Sequence, residues 1–206
     1  MASGWSAIEK SLRAAGMVHI AGVDEVGRGP LAGPVVVCAI IMPVGRRAIA
    51  GVRDSKELSA AVRERLAAKI REQAVALSLA ASSVTEIARW NIYQATARAM
   101  GRAIARLAVR PDHVLVDGKP IRTLEVEHEA IVDGDAKCYS IACASIVAKV
   151  TRDRLMTKLA ARYPAYGWER NAGYGTPAHL AGLRSAGLTR HHRESFCRTA
   201  LSTAAM

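Results

Sequence analysis

The chain has 206 residues, half of them apolar, and 29 lysines and arginines against 18 aspartates and glutamates give it a formal charge of +11. That length suits one large domain, the apolar content excludes a disordered chain, and the basic balance calls for a polyanionic partner, most simply nucleic acid. No apolar stretch reaches membrane-spanning length and no secretory signal opens the chain, while Cys38, Cys138, Cys143 and Cys197 show no CxxC or metal-type spacing, so a reduced, cytoplasmic setting is expected.

Residues 1–16 read as a short helical lead-in that Gly16 stops. Met17 to Val23 forms a strand that meets Asp24 and Glu25, and a turn, Gly27-Arg28-Gly29, follows at once. Pro30 to Pro34 punctuates the chain before a second apolar run from Val35 to Met42; the two runs, joined by a tight turn, predict a buried hairpin. Cys38 in that run reads as a small core residue, as does Cys143 later on. Ser59 is placed to cap a helix reaching about Gln73, with Val62, Leu66 and Ile70 at four-residue spacing. Ala74 to Ser82 fits a strand. Ser83 and Glu86 have the spacing of a capping box for a short helix, and a longer helical pattern begins at Asn91.

Val114 to Val116 is a short buried strand ending on Asp117. Glu125 to Val132 reads as a connector with some strand character, and Gly134 to Lys137 leads into a helix from Ser140 to Val150 that extends through Lys158. The remainder, through Asn171–Pro177, Ala178–Ala186 and His191–Phe196, is helical and loop-like. Strands and helices alternate after an opening hairpin, which predicts an α/β layered domain with a mixed sheet.

The acids carry the chemical signal. A strand inside a sheet is largely buried, and an unpaired buried carboxylate is costly unless a cation or hydrogen bonds compensate it. Asp24 and Glu25 end one strand and Asp117 ends another, each followed by a glycine-containing turn, and ligands gather at strand ends in α/β folds. If the two strands are neighbours, the three carboxylates converge, and a loop could bring Asp135 to the same place. Oxygen-only clusters select Mg²⁺ or Mn²⁺, and two such ions suit phosphodiester hydrolysis. The bland reading takes each acid singly as a turn former or helix cap. Asp133 competes with Asp135 but reads as a surface residue, and Asp153, four residues after Lys149, has the spacing of a helical ion pair. Lys56, Lys119, Lys137 and Lys149 are expected as a group along a phosphate track. His191 and His192 are adjacent, so their side chains diverge and a metal pair is disfavoured; contacts to nucleic acid or a surface role are expected instead.

The run Gly22-Val-Asp-Glu-Val-Gly-Arg-Gly-Pro-Leu-Ala-Gly-Pro-Val35 resembles the opening motif of bacterial ribonuclease HII. Asp54-Ser-Lys56, Val116-Asp-Gly-Lys119, Gly134-Asp-Ala-Lys137, Ser145-Ile-Val-Ala-Lys-Val-Thr-Arg-Asp153, Gly173-Tyr174 and His192-Arg-Glu-Ser-Phe196 match in the same order, so the resemblance covers about residues 17–197. It implies an RNase H-like fold, with a mixed sheet of about five strands flanked by helices. The implied layout is a single domain over residues 1–206, with a catalytic core at about 17–160 and a helical C-terminal part at about 161–206. It further implies metal-dependent cleavage of RNA in RNA/DNA hybrids and 5′ of single ribonucleotides in duplex DNA, leaving 3′-hydroxyl and 5′-phosphate ends, by a monomer with no membrane role. By position, Asp24, Glu25, Asp117 and Asp135 match the carboxylates that hold two Mg²⁺ or Mn²⁺ ions. Gly27-Arg28-Gly29 matches the motif that contacts the 2′-hydroxyl and adjoining phosphate, Tyr174 the tyrosine that packs on the following deoxyribose, and Lys56 a substrate-binding lysine. Val26 and Cys143 depart modestly from the family pattern. Rival readings are a non-catalytic hybrid-binding module and an RNase H-fold DNA nuclease.

Overall fold

The structure is a computed structural model describing residues 6–203, so the first five residues of the expected lead-in lie outside the described residues. The elements run α1 (Ala7–Ala14), β1 (Ile20–Val26), β2 (Val35–Ile41), α2 (Ala60–Gln73), β3 (Ala76–Ser82), α3 (Val84–Ala105), β4 (His113–Asp117), β5 (Glu129–Ile131), α4 (Gly134–Lys137), α5 (Tyr139–Arg162), α6 (Trp168–Asn171), α7 (Pro177–Ala186) and α8 (Glu194–Thr203). Short 3-10 turns occupy Ser55–Glu57 and Pro164–Tyr166. The strands form one five-stranded mixed sheet in the order β3-β2-β1-β4-β5. Pairing is antiparallel among β3, β2 and β1, and parallel among β1, β4 and β5.

Side-chain alternation divides the core into two layers. Ala21, Val23, Val35 and Val37 pack with Ala95, Ala99 and Met100 of α3 on one face. Cys38 and Ile40 pack with Leu66 and Ile70 of α2 and with Ala142, Cys143 and Ile146 of α5 on the other. Every residue of β2 is buried, which is why it reads in the sequence as a continuous apolar run rather than an alternating one. Helix α5 lies directly against β1: a Cβ added at Gly22 would stand 2.3 Å from the carbonyl carbon of Ser140. Only glycine permits that approach.

Local signals set the helix starts. Ser59 accepts from the Val62 amide and Ser83 forms a complete capping box with Glu86. At Asn91 the backbone turns to φ 62°, breaking α3 into the short and long pieces expected, and its Oδ1 accepts from the amides of Tyr93 at 2.9 Å and Gln94 at 3.1 Å to restart the helix. Helix α1 is more than a lead-in. Its buried Glu9 accepts from the amides of Tyr139 at 3.1 Å and Ser140 at 2.8 Å, so its carboxylate caps the N-terminus of α5.

Two expectations need correction. Strand β1 runs on to Val26, because β2 keeps pairing with it through Glu25↔Val37 and Val26↔Val36. The hairpin connection is also no tight turn: residues 27–34 form a loop held by groups from the C-terminal third of the chain. That third packs around Trp168, which stacks on Tyr166 at 5.1 Å between ring centroids, and it reaches Leu31 and Ala32 of the loop. Among the described residues no helix is long and apolar enough to cross a membrane.

Candidate active site

Strand register brings the acids together. The last parallel pair between β1 and β4 is Val23↔Val116, so Asp24 and Asp117 are the next residues on neighbouring strands. Strand β5 pairs with β4 as far as Asp117↔Ile131, and the chain then turns through Asp133 into α4. The Gly134 amide donates to Asp117 Oδ1 at 2.7 Å, which sets Asp135, 5% exposed, beside the cluster. Asp133 is exposed and in left-handed backbone, as a surface turn residue should be.

Crowding among these acids shows in their protonation. Burial pushes the Asp24 carboxyl well above the ordinary range, and the charges of Glu25 and Asp117 push it further. Burial also raises Glu25, against the pull of Arg28, and raises Asp117, with Asp135 adding to it. Each acid meanwhile has a local polar contact. Asp24 Oδ1 accepts from the Glu25 amide at 2.6 Å, Glu25 Oε1 lies 3.3 Å from Arg28 Nη1, and Asp135 Oδ2 lies 3.0 Å from Lys56 Nζ. With side chains so engaged, no three carboxylates, histidines or cysteines among the described residues converge on one point in the manner of a metal site. One oxygen remains over: Glu25 Oε2 is buried without a hydrogen-bond partner.

The glycine-rich loop leaves β1 at once. Gly27 has φ 95°, and a Cβ there would stand 2.2 Å from Arg152 Nε, so glycine is required twice over. Tyr174 is 45% exposed and lies against Gly29, whose added Cβ would stand 3.7 Å from the tyrosine ring. Read by residue type alone, a tyrosine suits the core; here the ring flanks the loop in the open. The loop is fixed from the C-terminal side. Leu31 and Ala32 amides donate to the Gly173 carbonyl, the Gly33 amide to the His191 carbonyl, and Arg193 returns its own amide to Leu31.

The lysines part company. Lys56 reaches Asp135, and Lys149 sits one helical turn beyond Ser145 on α5, paired with Asp153 at 2.8 Å as its spacing suggests. Lys137 turns away to the Val132 carbonyl and Asp133, while Lys119 is exposed. Lys149 and Asp153 line a surface groove with Arg63, Arg154, Lys158 and Arg170.

His192 corrects the surface expectation. It is 4% exposed, and its Nε2 lies 3.0 Å from His179 Nε2. His179 Nδ1 faces the Tyr174 carbonyl at 2.9 Å, an acceptor only, so the proton sits there and Nε2 accepts from Trp168 Nε1 at 3.1 Å. His192 Nδ1 accepts from the Thr189 amide at 2.9 Å, leaving its Nε2–H to point at His179. Burial, then the proximity of a second imidazole at His179, lowers His192 to about 4. The network fixes the backbone of Tyr174 from behind.

Arg152 and Arg193 are the residues to which sequence reasoning gave no role. Both fall inside matched motifs, yet an arginine in a sequence signals surface, and nothing in the spacing shows that these guanidinium groups are buried under the loop. Burial, then the Arg152 charge, lowers Arg193 to about 9, still protonated at neutral pH.

A mixed five-stranded sheet whose adjacent parallel strands β1 and β4 present carboxylates just past their last mutual pair defines an RNase H-like nuclease. The sequence profile described as Ribonuclease HII matches residues 21–199, and the chain belongs to that family. Ribonuclease HII of Thermosynechococcus vestitus is 54% identical over 191 residues, covering 92% of this chain and 89% of that one. That of Granulibacter bethesdensis is 55% identical over 181 residues, covering 86% and 83%. Among solved structures, ribonuclease H2 of Pyrococcus horikoshii superposes with a TM-score of 0.76 at 27% identity, covering 90% of this chain and 98% of the other. The chain is accordingly an endonuclease that hydrolyses the RNA strand of RNA/DNA hybrids.

Proposed function

We propose that Asp24, Glu25, Asp117 and Asp135 are the catalytic carboxylates and hold two Mg²⁺ or Mn²⁺ ions, and that the enzyme also cuts 5′ of single ribonucleotides in duplex DNA, leaving 3′-hydroxyl and 5′-phosphate ends. The observation that carries this reading is the Val23↔Val116 pair, which makes Asp24 and Asp117 neighbours on adjacent strands. The residues suit such ions: the donors are all oxygen, the acids repel one another, and Glu25 Oε2 is buried without a partner. When bound, two ions supply an activated water and neutralise charge on the leaving oxygen.

The chain's own groups do the rest. Gly27-Arg28-Gly29 lets backbone donors approach the 2′-hydroxyl, the one group that distinguishes ribose from deoxyribose, and Arg28 meets the adjoining phosphate. Tyr174 flattens the space beside the next sugar, so that a second 2′-hydroxyl there is crowded and the RNA-to-DNA junction is favoured. Lys56, 3.0 Å from Asp135 Oδ2 in the free enzyme, exchanges that carboxylate for a phosphate when the duplex binds. Lys149, Arg63 and their groove continue the cationic track along the duplex. We read the chain as a cytoplasmic monomer of one domain; its four cysteines are all free and buried, which fits a reducing compartment.

The test is a DNA duplex carrying one ribonucleotide, incubated with wild-type and Asp117→Asn enzyme, with and without Mg²⁺. The expected result is metal-dependent cutting only at the ribonucleotide by wild type. In the variant, several kcal/mol of metal-borne stabilisation are lost, so activity falls by roughly a thousandfold or more while duplex binding persists. Cleavage of all-DNA duplex, or undiminished activity in Asp117→Asn, would overturn the assignment.

A further inference from the structure

Arg152 and Arg193 are 0% and 2% exposed, and neither forms an ion pair among the described residues. A buried guanidinium without a carboxylate persists only when its donors are otherwise satisfied. Here the acceptors are main-chain carbonyls, nearly all from one loop. Arg193 gives Nη1 to Arg28 at 2.8 Å, Nη2 to Gly27 at 2.5 Å and Gly33 at 2.8 Å, and Nε to Gly33 at 3.1 Å. Arg152 gives Nε to Pro34 at 3.0 Å and Nη2 to Ala32 at 3.0 Å, with Nη1 to Ala172 at 2.8 Å. Arg193 Cζ also lies over the ring of Phe196, 5.3 Å from its centroid, a cation–π contact that adds to the hold on that guanidinium.

The consequence lies in the peptide planes. In a trans peptide the N–H points away from the C=O. Drawing the Gly27 and Arg28 carbonyls inward to Arg193 therefore turns the N–H groups of Arg28 and Gly29 to the opposite side of the turn. Neither N–H has a hydrogen-bond partner among the described residues. They are donors held ready for an oxygen outside the protein. We propose that Arg193, backed by Arg152, is a positioning residue for ribose recognition: it sets the two peptide planes whose N–H groups read the substrate. The proposal rests on the reading of Gly27-Arg28-Gly29 as the ribose reader. Lysine cannot replace arginine here, because its three donors radiate from one atom and do not span the Gly27, Arg28 and Gly33 carbonyls together.

The experiment measures binding of two duplexes, one all-DNA and one with a single ribonucleotide, by fluorescence anisotropy with Ca²⁺ in place of Mg²⁺. Wild type, Arg193→Lys and Arg152→Lys are compared, alongside kcat and KM for cleavage and the thermal midpoint. Arg193→Lys is expected to lose at least about tenfold of the ribonucleotide-over-DNA preference while its all-DNA affinity stays within about twofold of wild type. Arg152→Lys, which holds the far end of the loop, is expected to lose less. Folded variants with the wild-type preference, or with equal losses on both duplexes, overturn the proposal. Collapse of both variants makes the arginines a folding device and overturns it too. A wild type that neither prefers nor cuts the ribonucleotide instead refutes the functional reading beneath it.

Discussion

Asp24 is 6% exposed and stands beside two other acids in a sheet that offers it no cation of its own. Its raised pKa has a definite sign for stability. Protonated, the group is tolerated; as pH rises through its folded-state pKa, ionisation in a buried acidic cluster destabilises the metal-free fold. Asp24→Asn keeps an Oδ1 for the Glu25 amide while removing the charge. It is therefore expected to stabilise the metal-free protein at neutral pH by on the order of 1 kcal/mol, a rise of roughly 2–4 °C in thermal midpoint, while abolishing cleavage. A calorimetric scan in EDTA checks this; a lower midpoint in the variant would mean that the acid is compensated by the fold itself. The same reasoning shows why these acids were legible as a site. Adjacent acids at a strand end have no cheap structural use, whereas Arg193 and Glu9 look in the sequence like ordinary surface charges, and only partners far along the chain reveal otherwise.

At the scale of elements, strands and helix starts followed from local chemistry: the apolar run of β2, Ser59 before α2, the Ser83–Glu86 box, and Asn91 dividing α3. What was not legible depends on long-range register. The pairing of Val26 with Val36 lengthens β1, and the bridge between Ala32 and His192 binds the loop to the segment before α8. The packing of α6, α7 and that segment depends on the Trp168–His179–His192 network, which requires neutral imidazoles. Unfolded, His192 titrates near its ordinary 6.5; folded, near 4, so its contribution is complete above pH 6.5 and lost as pH falls through about 4. The loss is on the order of 1–3 kcal/mol. Urea unfolding between pH 7.5 and 4 is expected to show a decline in wild type that is flattened in His192→Gln, which starts lower. An equally steep decline in the variant would assign the acid sensitivity to other groups.

For the whole molecule, the +11 charge sets how the enzyme meets a duplex. Phosphate contacts release counterions, so binding should weaken linearly in log–log plots against salt, by about 0.9 per phosphate neutralised. Arg28→Ala is expected to lower that slope by about one, and a slope unchanged by the substitution would remove Arg28 from the phosphate contacts. The basic excess was plain in composition; its path over the surface was not, since Lys137 turns to a carbonyl while Lys149 lines a groove. The docking of α1 reaches further still. The family profile begins at residue 21, yet the carboxylate that caps α5 belongs to Glu9, upstream of it. A recombinant fragment begun at residue 21 would retain every residue assigned to catalysis and strand two amides at the head of the helix that carries Ser145, Lys149 and Arg152. The edge of the family profile and the edge of the intact fold thus fall at different residues, and anyone shortening the chain should follow the second.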